Sequence, residues 1–214
     1  MTGKWFYKIV HKEGLFGTSS HRQVFLHSTQ ALLQPNKKRK IYIMKIGLIS
    51  DTHSFLEPKV ACYFSDCDEI WHAGDIGDVE TADKLSAIKP LRAVVGNIDG
   101  KELQILYPEH QVFVAEGVKV WITHIGGYPP HYTTKLKASL AQIKPDLFIC
   151  GHSHILRVIA DPERKLLHIN PGAAGNHGFH KIKTIITFHL LQGKISQLDV
   201  VELGQRGSIP ASLP

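Results

Sequence analysis

Met44-Lys45-Ile46-Gly47-Leu48-Ile49-Ser50-Asp51-Thr52-His53 passes from an apolar, β-prone run straight into a polar cluster. The run reads as a buried strand, and the cluster at its end offers a carboxylate and an imidazole. The same arrangement recurs four times. Gly74-Asp75 follows the run at 69–72, and Gly96-Asn97-Ile98-Asp99 follows the run at 91–95. Thr123-His124 closes the run at 118–123, and Gly151-His152-Ser153-His154 follows the run at 146–150. From Asp51 the steps to Asp75, Asn97, His124 and His152 are 24, 22, 27 and 28 residues. Each step fits one strand, one helix or hairpin, and its loops. Every cluster then falls at a strand's C-terminal end, where open α/β sheets form their ligand crevices.

The segments between the clusters complete the pattern. Glu57–Phe64 reads as a helix with Pro58 in its first turn, and 78–87 as a helix capped by Asp78. A third helix is expected over Tyr132–Ile143, and Glu116-Gly117 joins two strands as a hairpin. Beyond His154 the pattern is all strand: 155–160, 165–169, 181–190 and 194–202, broken at Asp161-Pro162, Asn170-Pro171-Gly172 and Gln192-Gly193. The expected class is α/β, with two mixed β-sheets packed face to face and helices outside. There is no internal repeat and no low-complexity segment.

Charge is unevenly spread. Residues 1–43 carry eight Lys and Arg against Glu13 alone, a net +7, whereas 44–214 carry 17 basic and 18 acidic side chains, a net −1. The expected organisation is a basic, poorly ordered extension over 1–43, one domain over 44–203 and a tail over 204–214. The extension reads as an appended segment, dispensable for stability and activity, with the domain starting near Met44. The near-neutral domain is no nucleic-acid footprint, and Lys37-Lys38-Arg39-Lys40 reads as a solvated linker. No apolar run reaches the roughly 18 residues that span a membrane, and there is no secretory h-region. Cys62, Cys67 and Cys150 form no CxxC pair and read as reduced thiols of a cytoplasmic protein.

The clusters hold Asp51, Asp75, Asn97, His53, His124, His152 and His154, a nitrogen and oxygen donor set suited to Mn, Zn, Fe, Co or Ni. No Cys is among them, which disfavours a structural zinc site. Seven donors suffice for two ions, and two adjacent ions point to phosphate-ester hydrolysis. Glycines before Asp75, Asn97 and His152 are expected to let the backbone turn sharply there.

In order and spacing these motifs (D-x-H, G-D, G-N-x-D, a lone His, G-H-x-H) resemble those of the calcineurin-like metallophosphoesterase superfamily, in particular its small single-domain bacterial and archaeal phosphodiesterase branch. The resemblance covers about 44–202. It implies a four-layer α/β/β/α sandwich. It also implies one divalent ion on Asp51, His53 and His154, a second on Asn97, His124 and His152, and Asp75 bridging them, with Mn²⁺ the first choice. A metal-bridging hydroxide would attack phosphodiesters or activated phosphomonoesters. Many relatives have a proton-donating His where this chain has Ile98, so Asp99 is expected to brace the loop rather than share in acid catalysis. Without that acid, esters with good leaving groups should be preferred.

His177 and His180, in the Gly-rich stretch after Asn170-Pro171-Gly172, are candidates for substrate contact, as are Tyr128 and His131. His72 reads as a packed strand residue, and His110, His168 and His189 as surface or sheet residues. The expected partner is a small phosphate ester, with no membrane and no specific nucleic acid; sheet edges leave room for a homo-oligomer. The competing reading is a non-catalytic protein-interaction subunit of the same fold, and a nuclease is the third.

Overall fold

The computed structural model describes residues 42–207, so the expected basic extension lies outside the described residues except for Tyr42 and Ile43. The order is β1 (Met44–Ile49), α1 (Lys59–Phe64), β2 (Glu69–His72), α2 (Val79–Ile88), β3 (Leu91–Ala93), α3 (Lys101–Leu106), β4 (His110–Ala115) and β5 (Val118–Thr123). It continues with α4 (Thr134–Ile143), β6 (Leu147–Ile149), β7 (Arg157–Asp161), β8 (Leu166–Asn170), β9 (Ile182–Leu191) and β10 (Lys194–Gln205). One sheet runs β10-β9-β1-β2-β3 and the other β4-β5-β6-β8-β7. Both are mixed. β1, β2 and β3 are parallel, as are β5, β6 and β8, while β9, β10, β4 and β7 pair antiparallel. This is the expected two-sheet sandwich flanked by helices.

Strand alternation explains the layers. Ile46 and Leu48 of β1 meet Val118, Val120 and Ile122 of β5 in the core between the sheets, joined by Trp71, Ile149, Ile186 and Phe188. Ile49, on the other face of β1, packs with Val60 and Phe64 of α1 and Leu85 of α2. Gly47 shares that face, where a Cβ would come within 2.6 Å of the Phe64 ring. On the far side Trp121 and Phe148 pack with Leu140 of α4. Among the described residues no helix is long and apolar enough to cross a membrane.

Some boundaries differ from the expectation. The α4 helix opens at Thr134, where the Thr133 hydroxyl accepts from the Leu136 N–H at 3.2 Å. Tyr132 instead turns inward, 5% exposed, against Phe148. The sequence reading missed α3: its cap is Gly100, which offers no side chain, and only Leu103 of its six residues is buried.

His168 is a sheet residue, as read, but a fully buried one, and neither ring nitrogen has a partner among the described residues. Burial first, and then the Arg157 charge, push its pKa down to about 4. The sign follows from linkage. Between about pH 6.5 and 4 the unfolded chain takes up a proton that the folded chain refuses, so stability falls as pH falls. His168 accounts for about 3 kcal/mol over that window. Urea unfolding of His168→Phe across pH 4–7 should show this component of the slope removed.

Candidate metal centre

Each cluster predicted at a strand end is found at one. Asp51 and His53 follow β1, Asp75 follows β2, Asn97 follows β3, His124 follows β5, and His152 and His154 follow β6. Backbone bonds carry the β1–β2 ladder past the strands, with Asp51 N–H to Gly74 O at 3.0 Å and His53 N–H to Asp75 O at 3.0 Å. The loops of the two sheets then meet. The His152 N–H donates to both oxygens of Asp51 at 3.2 Å.

The donors gather in two groups, Asp51 with His53 and His154, and Asp75 with His124 and His152, the ligand atoms of each lying within 4.8 Å of one another. In the first, His154 Nε2 is 3.1 Å from Asp51 Oδ1 and 3.3 Å from His53 Nε2. In the second, His124 Nε2 is 3.2 Å from Asp75 Oδ1 and 3.1 Å from Asn97 Oδ1. Asp75 reaches the first group with its other oxygen, Oδ2, 3.6 Å from His53 Nε2. Asp51, Asp75 and His124 are buried, whereas Asn97 and His152 face solvent, so the site is open on one side.

Hydrogen bonds fix the orientation of the donors. The His124 Nδ1–H donates to Ala73 O at 2.8 Å, which leaves the Nε2 lone pair aimed at the site. The Ser50 hydroxyl holds Asp51 Oδ2 at 2.6 Å. Asp99, expected as a brace, accepts from Gly77 N–H at 2.8 Å and Gly96 N–H at 2.7 Å, tying the loops of Asp75 and Asn97 together. Ile98 supplies only its backbone N–H, 3.1 Å from Asp75 Oδ1, and its side chain is exposed. Asn170 braces the Gly151–His154 loop through Gly151 O at 2.7 Å.

Five of the seven expected ligands hold left-handed backbone: Asp51 (φ 54°), His53 (47°), Asp75 (56°), His152 (67°) and His154 (57°). Each stores strain on the order of 1 kcal/mol, and such residues concentrate at functional sites. The glycines have different tasks. Gly74 has φ of 93°, as expected for a sharp turn. Gly96 and Gly151 are required for space: a Cβ would lie 2.0 Å from Asp75 Oδ1 at the first and 2.1 Å from Ser50 Oγ at the second. The chain turns directly after both, at Asn97–Ile98 and at His152–Ser153, so at these positions the need for space is added to the turn.

The electrostatics suit a cation. Burial pushes Asp75 up, but the hydrogen bond and charge of His124, the Ile98 N–H and His53 outweigh it and hold the carboxyl below its ordinary value. Burial lowers His124, and the bond to Asp75 with the charges of Asp51 and Asp75 carries it above the ordinary histidine value. Burial dominates at His53 and lowers it. Anionic oxygens and imidazole lone pairs converging within coordination reach fit two divalent ions.

The remaining candidates divide. The His177 ring lies 4.9 Å from that of His53, and the His180 ring 5.3 Å from that of His154, so both pack against the first group. Tyr128 is covered by the Arg157 guanidinium at 3.9 Å, and its ring lies 5.6 Å from that of His131. His72 is a buried strand residue, bonded to Thr52 Oγ1 at 2.9 Å and to the Gly74 N–H at 3.1 Å. Sequence reasoning missed a cavity of about 500 Å³ that opens from Asn97 and His124 and reaches Gln104, Tyr107, Glu109 and His110. Gln104 lies on the unforeseen α3 helix and Tyr107, Glu109 and His110 follow it, and none of these four belongs to a motif.

A two-sheet sandwich with such donors converging at one edge is the architecture of a metal-dependent phosphoesterase domain. The model of the calcineurin-like phosphoesterase superfamily domain matches residues 44–193, and the chain belongs to that superfamily. A probable metallophosphoesterase of Methanocaldococcus jannaschii is 32% identical over 166 residues, 75% of this chain and 80% of that protein. The structure of an archaeal phosphodiesterase superposes with a TM-score of 0.59 at 24% identity, covering 74% of this chain and 100% of that one. Vps29 of Entamoeba histolytica complexed with zinc superposes with a TM-score of 0.55 at 19% identity, covering 75% and 100%. Both likenesses concern the fold.

Proposed function

We propose that this chain is a two-metal phosphodiesterase that also cleaves activated phosphomonoesters. The observation that carries the reading is Asp75, whose two oxygens face separate donor groups, Oδ1 toward His124 and Oδ2 toward His53. Asp51, His53 and His154 would hold one divalent ion, Mn²⁺ by preference, and Asn97, His124 and His152 the other, with Asp75 shared. Bound ions supply Lewis acidity for water and for the phosphoryl oxygens. The chain's own part is orientation. Ala73 O fixes the His124 ring, Ser50 and the His152 N–H fix Asp51, and Asp99 locks the loops that carry Asp75 and Asn97. Position 98 moves no proton, because an isoleucine stands there, so leaving groups that depart as stable anions are favoured.

All seven donor positions are filled, which favours an enzyme over an interaction subunit of the same fold. The three described thiols are free, in keeping with a proposed cytoplasmic location. Hydrolysis of bis-p-nitrophenyl phosphate, measured with chelator and then with Mn²⁺, tests the reading. Turnover should appear only with the metal and exceed that of simple alkyl monophosphates. Metal-independent or absent turnover would favour the interaction subunit.

A further inference from the structure

The cavity beside the donors carries information about the substrate. Two of its lining residues, Asn97 and His124, are themselves candidate ligands, so a phosphoryl group held there places its ester substituent at the cavity mouth. At about 500 Å³ it has room for a group of nucleoside size. We propose that this cavity receives the organic group of the phosphoester and selects one that is uncharged or cationic and rich in hydrogen-bond donors, against one carrying a second phosphate or a carboxylate. This deepens the phosphodiesterase reading and rests on it.

The argument is one of charge and lone pairs. Among the described residues no Lys or Arg lines the cavity, and its one acidic side chain away from the donors, Glu109, has no ion-pair partner. A neighbouring depression shares Tyr107 and contains Arg92, but that cation is engaged. Its Nε and Nη2 donate to the two oxygens of Glu69 at 3.2 Å, and its guanidinium lies 4.1 Å over the Phe113 ring. Among the described residues no Lys or Arg is therefore placed at the cavity to neutralise a second anion.

The polar groups that remain include two fixed acceptors, the Gln104 carbonyl oxygen and the Glu109 carboxylate. Gln104 gives its Nε2–H to Asp99 O at 2.8 Å, which leaves its carbonyl oxygen without a partner. His110 Nδ1 is paired with Thr123 Oγ1 at 2.8 Å, which sets the ring and leaves Nε2 for a ligand, as acceptor or donor according to the tautomer. With the Glu109 carboxylate, this wall suits hydroxyl groups, amines or an ammonium. Tyr107 adds an aromatic face on which a base or a quaternary ammonium can rest.

The test uses three p-nitrophenyl phosphodiesters that release the same p-nitrophenolate and differ in the second ester: choline, thymidine 5′-yl and 2-carboxyethyl. With Mn²⁺, kcat/KM should favour the choline and thymidine esters over the carboxyethyl ester by about 10-fold at low ionic strength. Glu109→Lys should shift the choline-to-carboxyethyl ratio by about 10-fold or more toward the anion. It should change the uncharged thymidine ester less than either charged ester, and Glu109→Gln should fall between. Glu109 is exposed, so these variants should fold. A binding readout stands beside the rates: thymidine added to metal-free protein should move the His110 ring resonances in NMR spectra. A ratio near one in the wild type, a ratio unmoved by Glu109→Lys, or shifts that spare His110 would each overturn the proposal. Absence of metal-dependent release from all three esters would instead remove the phosphodiesterase reading, and this inference with it.

Discussion

On the proposed two-metal reading, Asp75→Asn should lower kcat/KM for bis-p-nitrophenyl phosphate with Mn²⁺ by at least about 10³-fold, because roughly 4 kcal/mol of charge stabilisation would depend on the shared carboxylate. The substitution is nearly isosteric. The amide oxygen can still accept from the Ile98 N–H, and the side chain still fits under Gly96, so the fold is kept. What disappears is the negative charge, and of the two oxygens that face the His53 and His124 groups one becomes an amide NH₂ that cannot accept. A second measurement isolates that loss. Saturating Mn²⁺ should raise the melting temperature of the wild type, since an ion bound only by the folded state stabilises it by mass action. That rise should shrink sharply in Asp75→Asn. Asp66→Asn, an exposed carboxylate paired with Lys45, is the control and should change neither quantity. Activity within about 10-fold of wild type in Asp75→Asn would contradict a shared Asp75.

The largest expected effect on stability lies away from the donors. Lys183, the second residue of β9, is 0% exposed, and its ammonium sits 2.6 Å from Glu57 Oε2, itself 2% exposed. The Phe55 ring lies 4.8 Å from the same nitrogen. Lys183→Met removes the cation and leaves the Glu57 carboxylate buried without its counter-charge, which should destabilise the fold by about 3–5 kcal/mol. For a domain of this size that is a fall of about 10 °C in melting temperature, and the urea midpoint should drop with m unchanged. The double variant Glu57→Gln, Lys183→Met should recover most of the loss, because no unpaired charge remains. A double variant as unstable as the single one would show that packing, not charge, is at stake.

The course of the strands and the placement of the expected ligands at strand ends were legible because apolar runs and terminal polar clusters are local in sequence. Asp51, Asp75, Asn97, His124 and His152 each follow a run of the right length, and the structure puts each at a strand end. Asp99 was legible as a brace through the chemistry of its neighbour, since Ile98 offers no acid. The Lys183–Glu57 pair was not legible. It joins residues 126 apart, one in an apolar strand and the other read as a helix start, and no spacing announces it. The burial of His168 was equally hidden, because β8 reads the same whether that residue faces solvent or the rings of Tyr132 and Phe148. The cavity required α3, which lacks both a capping side chain and an amphipathic pattern long enough to register. The need for Gly96 and Gly151 as empty space follows from side chains of other loops, which sequence alone does not place.

Asp51, His53, Asp75 and Asn97 hang from one sheet, and His124, His152 and His154 from the other. The separation between those two sets is fixed by the apolar layer they stand on, from Ile46 and Trp71 across to Val120 and Ile149. That layer is a ruler. Substitutions among its aliphatic side chains, remote from every donor, alter the spacing at which the two sets face each other. Drift in a hydrophobic interior is thereby a route by which such a domain can change its preferred metal ion while every coordinating residue stays the same.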